Sequence, residues 1–161
     1  MIDFLSFLKR LCSYQVEFVV IGGVAAVLQG SSYTTFDIDI CYNRLPENLQ
    51  KLVNCLLPLY PKLRDAPSDL PFVFDVLTIK AGLNFTLETT MGNIDILGEV
   101  GGIGSYDAVK ILSHKLSIEG EPIFVLNIDA LIKSKKFAGR KKDEPVIIEL
   151  EAIKEIQASK K

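Results

Sequence analysis

The chain has 161 residues, of which 48% are hydrophobic and 24% are charged, and its formal net charge is −2. This length and composition are typical of one globular domain with one core, so we expect residues 1–161 to form a single domain. They exclude a disordered chain and a global basic field for nucleic acid. No apolar run approaches the ~20 residues that span a bilayer, so we expect no membrane partner.

The cysteines and the first residues indicate the compartment. Cys12, Cys41 and Cys55 have no CxxC spacing, and an odd, sparse set of cysteines favours reduced thiols. Residues 1–12 carry an acid before the apolar positions and basic residues after them, which is the wrong order for a secretory signal. We therefore expect a cytoplasmic protein.

The first third of the chain alternates between helix and strand patterns. An apolar stripe at helical spacing predicts a helix over 2–13, with Asp3 as its N-cap or as an acid of its first turn. The β-branched and aromatic run at 16–21 predicts a buried strand. Gly22 and Gly23 end that strand and open a short helix, which Gly30 ends.

The remaining elements follow the same two periodicities. The segment 58–75 contains four prolines, and we expect an irregular excursion that is either a connector or a border of the substrate groove. We predict a flexible or strained loop over 98–104 and leave 72–79 unassigned. Helices are predicted over 46–59, 127–139 and 143–157, and a short helix or a turn over 106–112. Strands are predicted over 36–42, 83–89, 92–97, 116–118 and 123–126.

Three carboxylates lie on apolar strands. Asp37 and Asp39 share one strand face, because strand side chains alternate, while Phe36, Ile38 and Ile40 point the other way. Two like charges on a largely apolar strand need compensation, and a divalent cation supplies it through carboxylate oxygens. An edge strand with a solvated polar face explains the pair as well. Asp95, on a later strand, is a third carboxylate of the same kind.

Two further features have a functional and a plain interpretation. The Gly22-Gly23 turn either receives a phosphate on free backbone N–H groups or only permits a tight turn. The cations from Lys133 to Lys142 either neutralise substrate charge or form a solvated face. Three carboxylates on adjacent strands, a glycine turn and cations are what two-metal phosphoryl transfer needs.

These features occur together in a known family. The segments IGGVAAVLQGSSYTTFDIDI, NFTLETTMGNIDILGEVGGIGSY and LNIDALIKSKKFAGRKKDEP resemble the minimal nucleotidyltransferases of the DNA-polymerase-beta superfamily, in particular the AbiEii-like toxin branch. They cover well over half of the chain and stand in the family's order. Lys135, Arg140 and Asp143 resemble its terminal K-x-x-A-G-R-x-K-D pattern. Tyr33 departs from it, because relatives commonly carry a basic residue there.

The resemblance implies an α+β nucleotidyltransferase fold, in which a mixed sheet is flanked by helices and followed by a β-hairpin and C-terminal helices. It implies a metal-dependent transfer of an NMP from an NTP, such as ATP, to a hydroxyl of a tRNA, a protein or a small molecule. The cofactor would be Mg²⁺ or Mn²⁺, and the setting a toxin–antitoxin pair with an antitoxin or toxin partner. The implied catalytic and metal-binding residues are Asp37, Asp39 and Asp95, and the implied nucleotide-binding residues are Gly22, Gly23, Ser31, Thr35, Lys135 and Arg140.

Two other functions fit the same residues. A catalytically silent module with this fold would bind a nucleotide or a partner without releasing pyrophosphate. A structural domain would use the acidic strand only as an exposed face.

Overall fold

The structure, a computed structural model, describes residues 3–160. The predicted start of the first helix at Ile2 lies outside these residues. Of the strands in the described chain, five have six residues and four have two to four, and the six-residue strands include the two that carry the three carboxylates. The strands are β1 (Phe18–Ile21), β2 (Asp37–Tyr42), β3 (Lys62–Leu63), β4 (Asn84–Thr89), β5 (Gly92–Leu97), β6 (Glu99–Val100), β7 (Gly104–Ser105), β8 (Ser113–Ile118) and β9 (Glu121–Leu126).

One seven-stranded mixed sheet organises the fold. Its strand order is β3-β4-β5-β2-β1-β9-β8. The pairs β2–β5 and β1–β9 are parallel, and the other neighbours are antiparallel. Strands β6 and β7 form a separate two-stranded hairpin directly after β5. The acidic strands β2 and β5 are therefore neighbours in the sheet, although β3 and β4 lie between them in the sequence.

Strands β2 and β5, which carry the three carboxylates, pair directly with each other and lie at the middle of the sheet. Their side chains alternate between the two faces of the sheet, so Ile38, Ile40, Ile94 and Ile96 enter the core and are fully buried. The central position excludes the edge-strand explanation of the acidic pair, because β2 has a neighbour on each side.

Helices flank this sheet. Short 3-10 turns lie at Leu57–Leu59 and Lys141–Asp143. In the described part of the chain the α-helices are α1 (Phe4–Ser13), α2 (Gly22–Leu28), α3 (Pro46–Leu56), α4 (Val76–Ala81), α5 (Tyr106–Ile111), α6 (Ile128–Ala138) and α7 (Glu144–Ser159). Helices α1 and α3 contact each other, α2 packs beside β2, and α6 packs against α2 and α7.

The helix ends follow from the local sequence. The Asp3 side chain accepts a hydrogen bond from the Ser6 backbone N–H, so Asp3 is the N-cap of α1, which is one of the two roles that the sequence left open for it. Asn127 caps α6 in the same way, through the Ala130 N–H. Gly139 ends α6 in the left-handed conformation, with φ +64, so the chain turns sharply there.

The predicted α+β class and the mixed sheet with flanking helices are confirmed. The excursion at 58–75 is largely irregular, as the sequence predicts, although it includes the two-residue strand β3. The unassigned segment 72–79 contains the start of α4. The segment 98–104, predicted to be a flexible or strained loop, contains most of the β6–β7 hairpin, and Gly102 and Gly104 have positive φ. The prediction for Phe36 was wrong. Phe36 does not join Ile38 in the core, because β2 begins after it, and it is 69% exposed.

The helices of the described chain, residues 3–160, include none that is both long and apolar enough to cross a membrane. The three cysteines are free thiols, and Cys41 and Cys55 are buried. Burial raises the pKa of the Cys41 thiol to about 12. Cys41 therefore acts as a small apolar side chain in the core.

Candidate active site

The register between β2 and β5 places two carboxylates side by side. Asp39 lies directly opposite Asp95 in this parallel pair, so the two carboxyl groups are neighbours on one face of the sheet. Asp37 lies two residues before Asp39 and projects from the same face of the sheet. The sequence predicts this shared face, and the strand pairing brings Asp95 to it.

The environment of Asp39 disfavours its charge. Removal from water is the largest cause, followed by the neighbouring charges of Asp95 and Asp37, and together they raise the pKa of Asp39 to about 8. Lys135 opposes the shift. Asp39 is therefore a group that gains from a proton or a bound cation.

An arginine supplies positive charge at this cluster. Arg64 follows β3, and its guanidinium makes salt bridges to both Asp37 and Asp95, with 3.1 Å between Arg64 Nη1 and Asp37 Oδ2. Its backbone N–H donates to the Thr86 carbonyl, which fixes the residue beside β4. From the sequence we assign no role to Arg64 itself. We expect the segment 58–75, which contains Arg64, to be either a connector or a border of the substrate groove.

The carboxylate cluster suits Mg²⁺ or Mn²⁺ by the chemistry of its donors. They are all carboxylate oxygens, which hard cations prefer, and the Arg64 guanidinium shows that the cluster accepts positive charge. Among residues 3–160, no group of three or more His, Cys, Asp or Glu side chains is arranged to hold a metal ion. The residue types fit the cation, and the ligand set of Asp37, Asp39 and Asp95 stays a prediction.

The glycine turn is explained by contacts within the chain. Gly22 has φ +64, and a Cβ there would collide with Asp39 Oδ2 and lie 3.0 Å from the Asp39 Cβ. A Cβ at Gly23 would lie 2.9 Å from both Cβ and Oγ1 of Thr35. The glycines therefore let Asp39 and Thr35 approach the backbone closely. Their predicted role in binding a nucleotide remains a prediction.

Replacing Gly22 with alanine should displace Asp39 and destabilise the fold. The new Cβ meets both strain at positive φ and the Asp39 side chain, so we expect a loss of about 2–4 kcal/mol in the free energy of unfolding. Denaturant unfolding measures this loss.

The matched control for this substitution is Gly120→Ala. Gly120 also has positive φ, +85, but a Cβ there meets nothing within 4 Å. The control therefore carries the backbone strain alone, about 1 kcal/mol. Equal losses in the two variants would contradict the close approach of Asp39 to Gly22.

A buried carboxylate near the end of α6 accepts hydrogen bonds from two cationic side chains. Asp143 is only 2% exposed, and it accepts hydrogen bonds from Lys135 Nζ at 3.4 Å and from Arg140 Nε at 2.7 Å. Lys135 is also buried. The turn at Gly139 brings Arg140 back toward Asp143, so the spacing in the terminal pattern has a structural reason.

These groups surround a small polar cleft of about 130 Å³. Tyr33, the residue that departs from the resembled pattern, lies in this lining, and Lys135 Nζ is 5.9 Å from the centre of its ring. Ser31 is absent from the lining; it is buried, and its hydroxyl accepts a hydrogen bond from the Tyr33 backbone N–H. The lining consists of Gly22, Gly23, Tyr33, Thr35, Asp37, Asp39, Asp95, Lys135, Arg140, Lys142 and Asp143.

Three solved structures share this fold. The lincomycin-bound crystal structure of the lincosamide antibiotic adenylyltransferase LnuA aligns with a TM-score of 0.62 and 16% identity over 93% of this chain and 95% of that chain. For ANT(2")-Ia in complex with adenylyl-2"-tobramycin, the TM-score is 0.57 and the identity 12%, over 98% of each chain. For a candidate nucleotidyltransferase from Thermotoga maritima, the TM-score is 0.56 and the sequence identity is 18%, over 92% of this chain and 94% of that chain.

The sequence comparisons found no match, either to a protein-family profile or to a curated protein. At identities of 12–18%, the structural likeness establishes the fold and not the activity. The chain therefore has a nucleotidyltransferase-type fold, and its place in the AbiEii-like branch stays a prediction.

Proposed function

We propose that this protein is a metal-dependent nucleotidyltransferase that moves an NMP from an NTP to an acceptor hydroxyl. The observation that carries the proposal is the carboxylate pair, Asp39 and Asp95, which face each other on parallel strands beside a cleft lined by Lys135 and Arg140. A carboxylate cluster next to cations suits a reaction in which a triphosphate is bound and its charge redistributed.

Each group has a role in this reaction. Asp37, Asp39 and Asp95 would hold Mg²⁺ or Mn²⁺, and the bound metal would activate the hydroxyl and neutralise phosphate charge. Lys135 and Arg140 would bind the phosphates, while Asp143 orients both cations. The acceptor oxygen forms a bond to the α-phosphorus, the bond to the β-phosphate oxygen breaks, pyrophosphate leaves, and the hydroxyl proton passes to solvent.

ATP and a small hydroxyl-bearing molecule are the first substrates to test. LnuA is an adenylyltransferase with bound lincomycin, and the ANT(2")-Ia structure holds adenylyl-2"-tobramycin. Both pair an adenylyl group with an antibiotic. A tRNA or a protein acceptor, a toxin–antitoxin setting and a cytoplasmic location remain predictions of the sequence.

The test combines binding with product formation. The protein is incubated with Mg²⁺ or Mn²⁺ and each radiolabelled NTP, together with lincomycin, tobramycin, total tRNA or cell protein. We expect the metal and one NTP together to raise the melting temperature, and label to appear on one acceptor with release of pyrophosphate.

A catalytically silent module that binds a nucleotide is the second candidate, because the Arg64 guanidinium already neutralises part of the carboxylate cluster. It predicts a nucleotide-induced rise in melting temperature and no pyrophosphate with any acceptor class. If no metal and NTP combination changes the melting temperature, both candidates fail.

A further inference from the structure

A second groove opens from the polar cleft. Its volume is about 260 Å³, twice that of the polar cleft, and part of its lining is apolar. We call the part formed by Leu97, Val100, Gly101, Phe137 and Ala138 the apolar groove. The two spaces share five lining residues, which are Gly22, Asp39, Asp95, Lys135 and Arg140. A single ligand can therefore extend from the carboxylates and cations into the apolar groove.

Phe137 is the largest apolar side chain of this groove. It is 70% exposed, so a flat apolar ligand that covers it removes a large aromatic surface from water. The β6–β7 hairpin supports it, because a Cβ at Gly101 would lie 2.8 Å from its ring and a Cβ at Gly102 would lie 2.9 Å from its Cβ. The glycines of this hairpin thus let an exposed ring rest close to the backbone.

We infer that Phe137 is a stacking platform for the nucleobase of the NTP, an inference that rests on the proposed function. A nucleotide joins a highly charged triphosphate to a flat ring with an apolar face. The shared cations match its phosphates, and the apolar groove with Phe137 matches its base. Stacking on an aromatic side chain tolerates any base, since every base has a π-face.

The test compares an NTP with inorganic tripolyphosphate, which has the phosphates without the base. Binding of ATP, GTP, CTP, UTP and tripolyphosphate is measured by calorimetry with Mg²⁺ present. We expect Phe137→Ala to lower the affinity for the preferred NTP roughly tenfold, the order of one base–aromatic stack, and to leave tripolyphosphate binding unchanged. Phe137→Tyr should keep the affinity of the original protein.

Ile148→Ala is the matched control, because Ile148 is 68% exposed on α7 and does not line the groove. Ile148→Ala should change neither the affinity for the preferred NTP nor the affinity for tripolyphosphate. An equal effect of Phe137→Ala on NTP and tripolyphosphate, or no effect on either, overturns the inference and leaves the proposed function standing. If the original protein binds none of these ligands, the proposed function fails and the inference fails with it.

Discussion

Replacing Asp39 with asparagine should abolish nucleotidyl transfer and stabilise the free protein. Removal from water and the charges of Asp95 and Asp37 raise the pKa of the Asp39 carboxyl to about 8. Asparagine removes a proposed metal ligand and a disfavoured charge in one step. We expect transfer to fall by at least about 1000-fold, because metal binding supplies several kcal/mol to the transition state.

The stability effect depends on pH, and its sign follows from the raised pKa. Between about pH 4 and 8 the folded protein keeps a proton on Asp39 that the unfolded chain has lost, so stability falls as pH rises through this range. The asparagine side chain does not titrate and has no such dependence. The free energy of unfolding of the Asp39→Asn variant should therefore exceed that of the original protein by about 1–3 kcal/mol near pH 8, and the two values should approach each other near pH 4.

Denaturant unfolding without metal, repeated between about pH 4 and pH 8, measures this difference in the free energy of unfolding. The control variant is Asp69→Asn. Asp69 is an exposed acid in the excursion 58–75, so its replacement should change neither stability nor transfer. A less stable Asp39→Asn variant at pH 8 would contradict the environment that we describe for this carboxyl. Full transfer activity in the variant would contradict its role in the reaction.

The sequence predicts those features of the fold that depend on hydrophobic periodicity and on helix caps. Alternation places Asp37 and Asp39 on one face, and Asn127 and Gly139 mark the two ends of α6. The opposition of Asp39 and Asp95 depends on strand register, which the alternation restricts but does not determine. Residues that share a face could be predicted, whereas the register that sets Asp39 opposite Asp95 comes from the strand pairing in the folded chain.

The features that sequence reasoning missed depend on long-range contacts. Arg64 contacts Asp37 and Asp95 from an irregular segment, and the path of such a segment cannot be predicted from hydrophobic periodicity. The glycines at 101 and 102 suggest flexibility, yet they lie in an ordered hairpin against Phe137. In both cases the relevant partner is more than 25 residues away, where a local pattern carries no signal.

Replacing Arg64 with alanine should weaken the free protein and strengthen its binding of metal. Arg64 bridges Asp37 and Asp95, so its loss leaves three neighbouring carboxylates without this counter-charge. We expect the free energy of unfolding to fall by about 1–3 kcal/mol without metal. A divalent cation no longer competes with the guanidinium, so half-saturation with Mn²⁺ should need roughly tenfold less metal, a change of about 1.4 kcal/mol.

Two variants separate competition for the carboxylates from a general loss of stability. Arg64→Lys keeps the charge but loses the planar fork that bridges two carboxylates, so its effects should be intermediate. Arg10→Ala removes an arginine whose Nε donates to the Cys55 carbonyl, at 2.9 Å, and should lower stability without changing half-saturation. Unchanged metal binding in Arg64→Ala would mean that the guanidinium and the cation occupy different positions. Tighter binding in Arg64→Ala, with an intermediate affinity in Arg64→Lys, would mean that the guanidinium opposes the binding of a cation at these carboxylates.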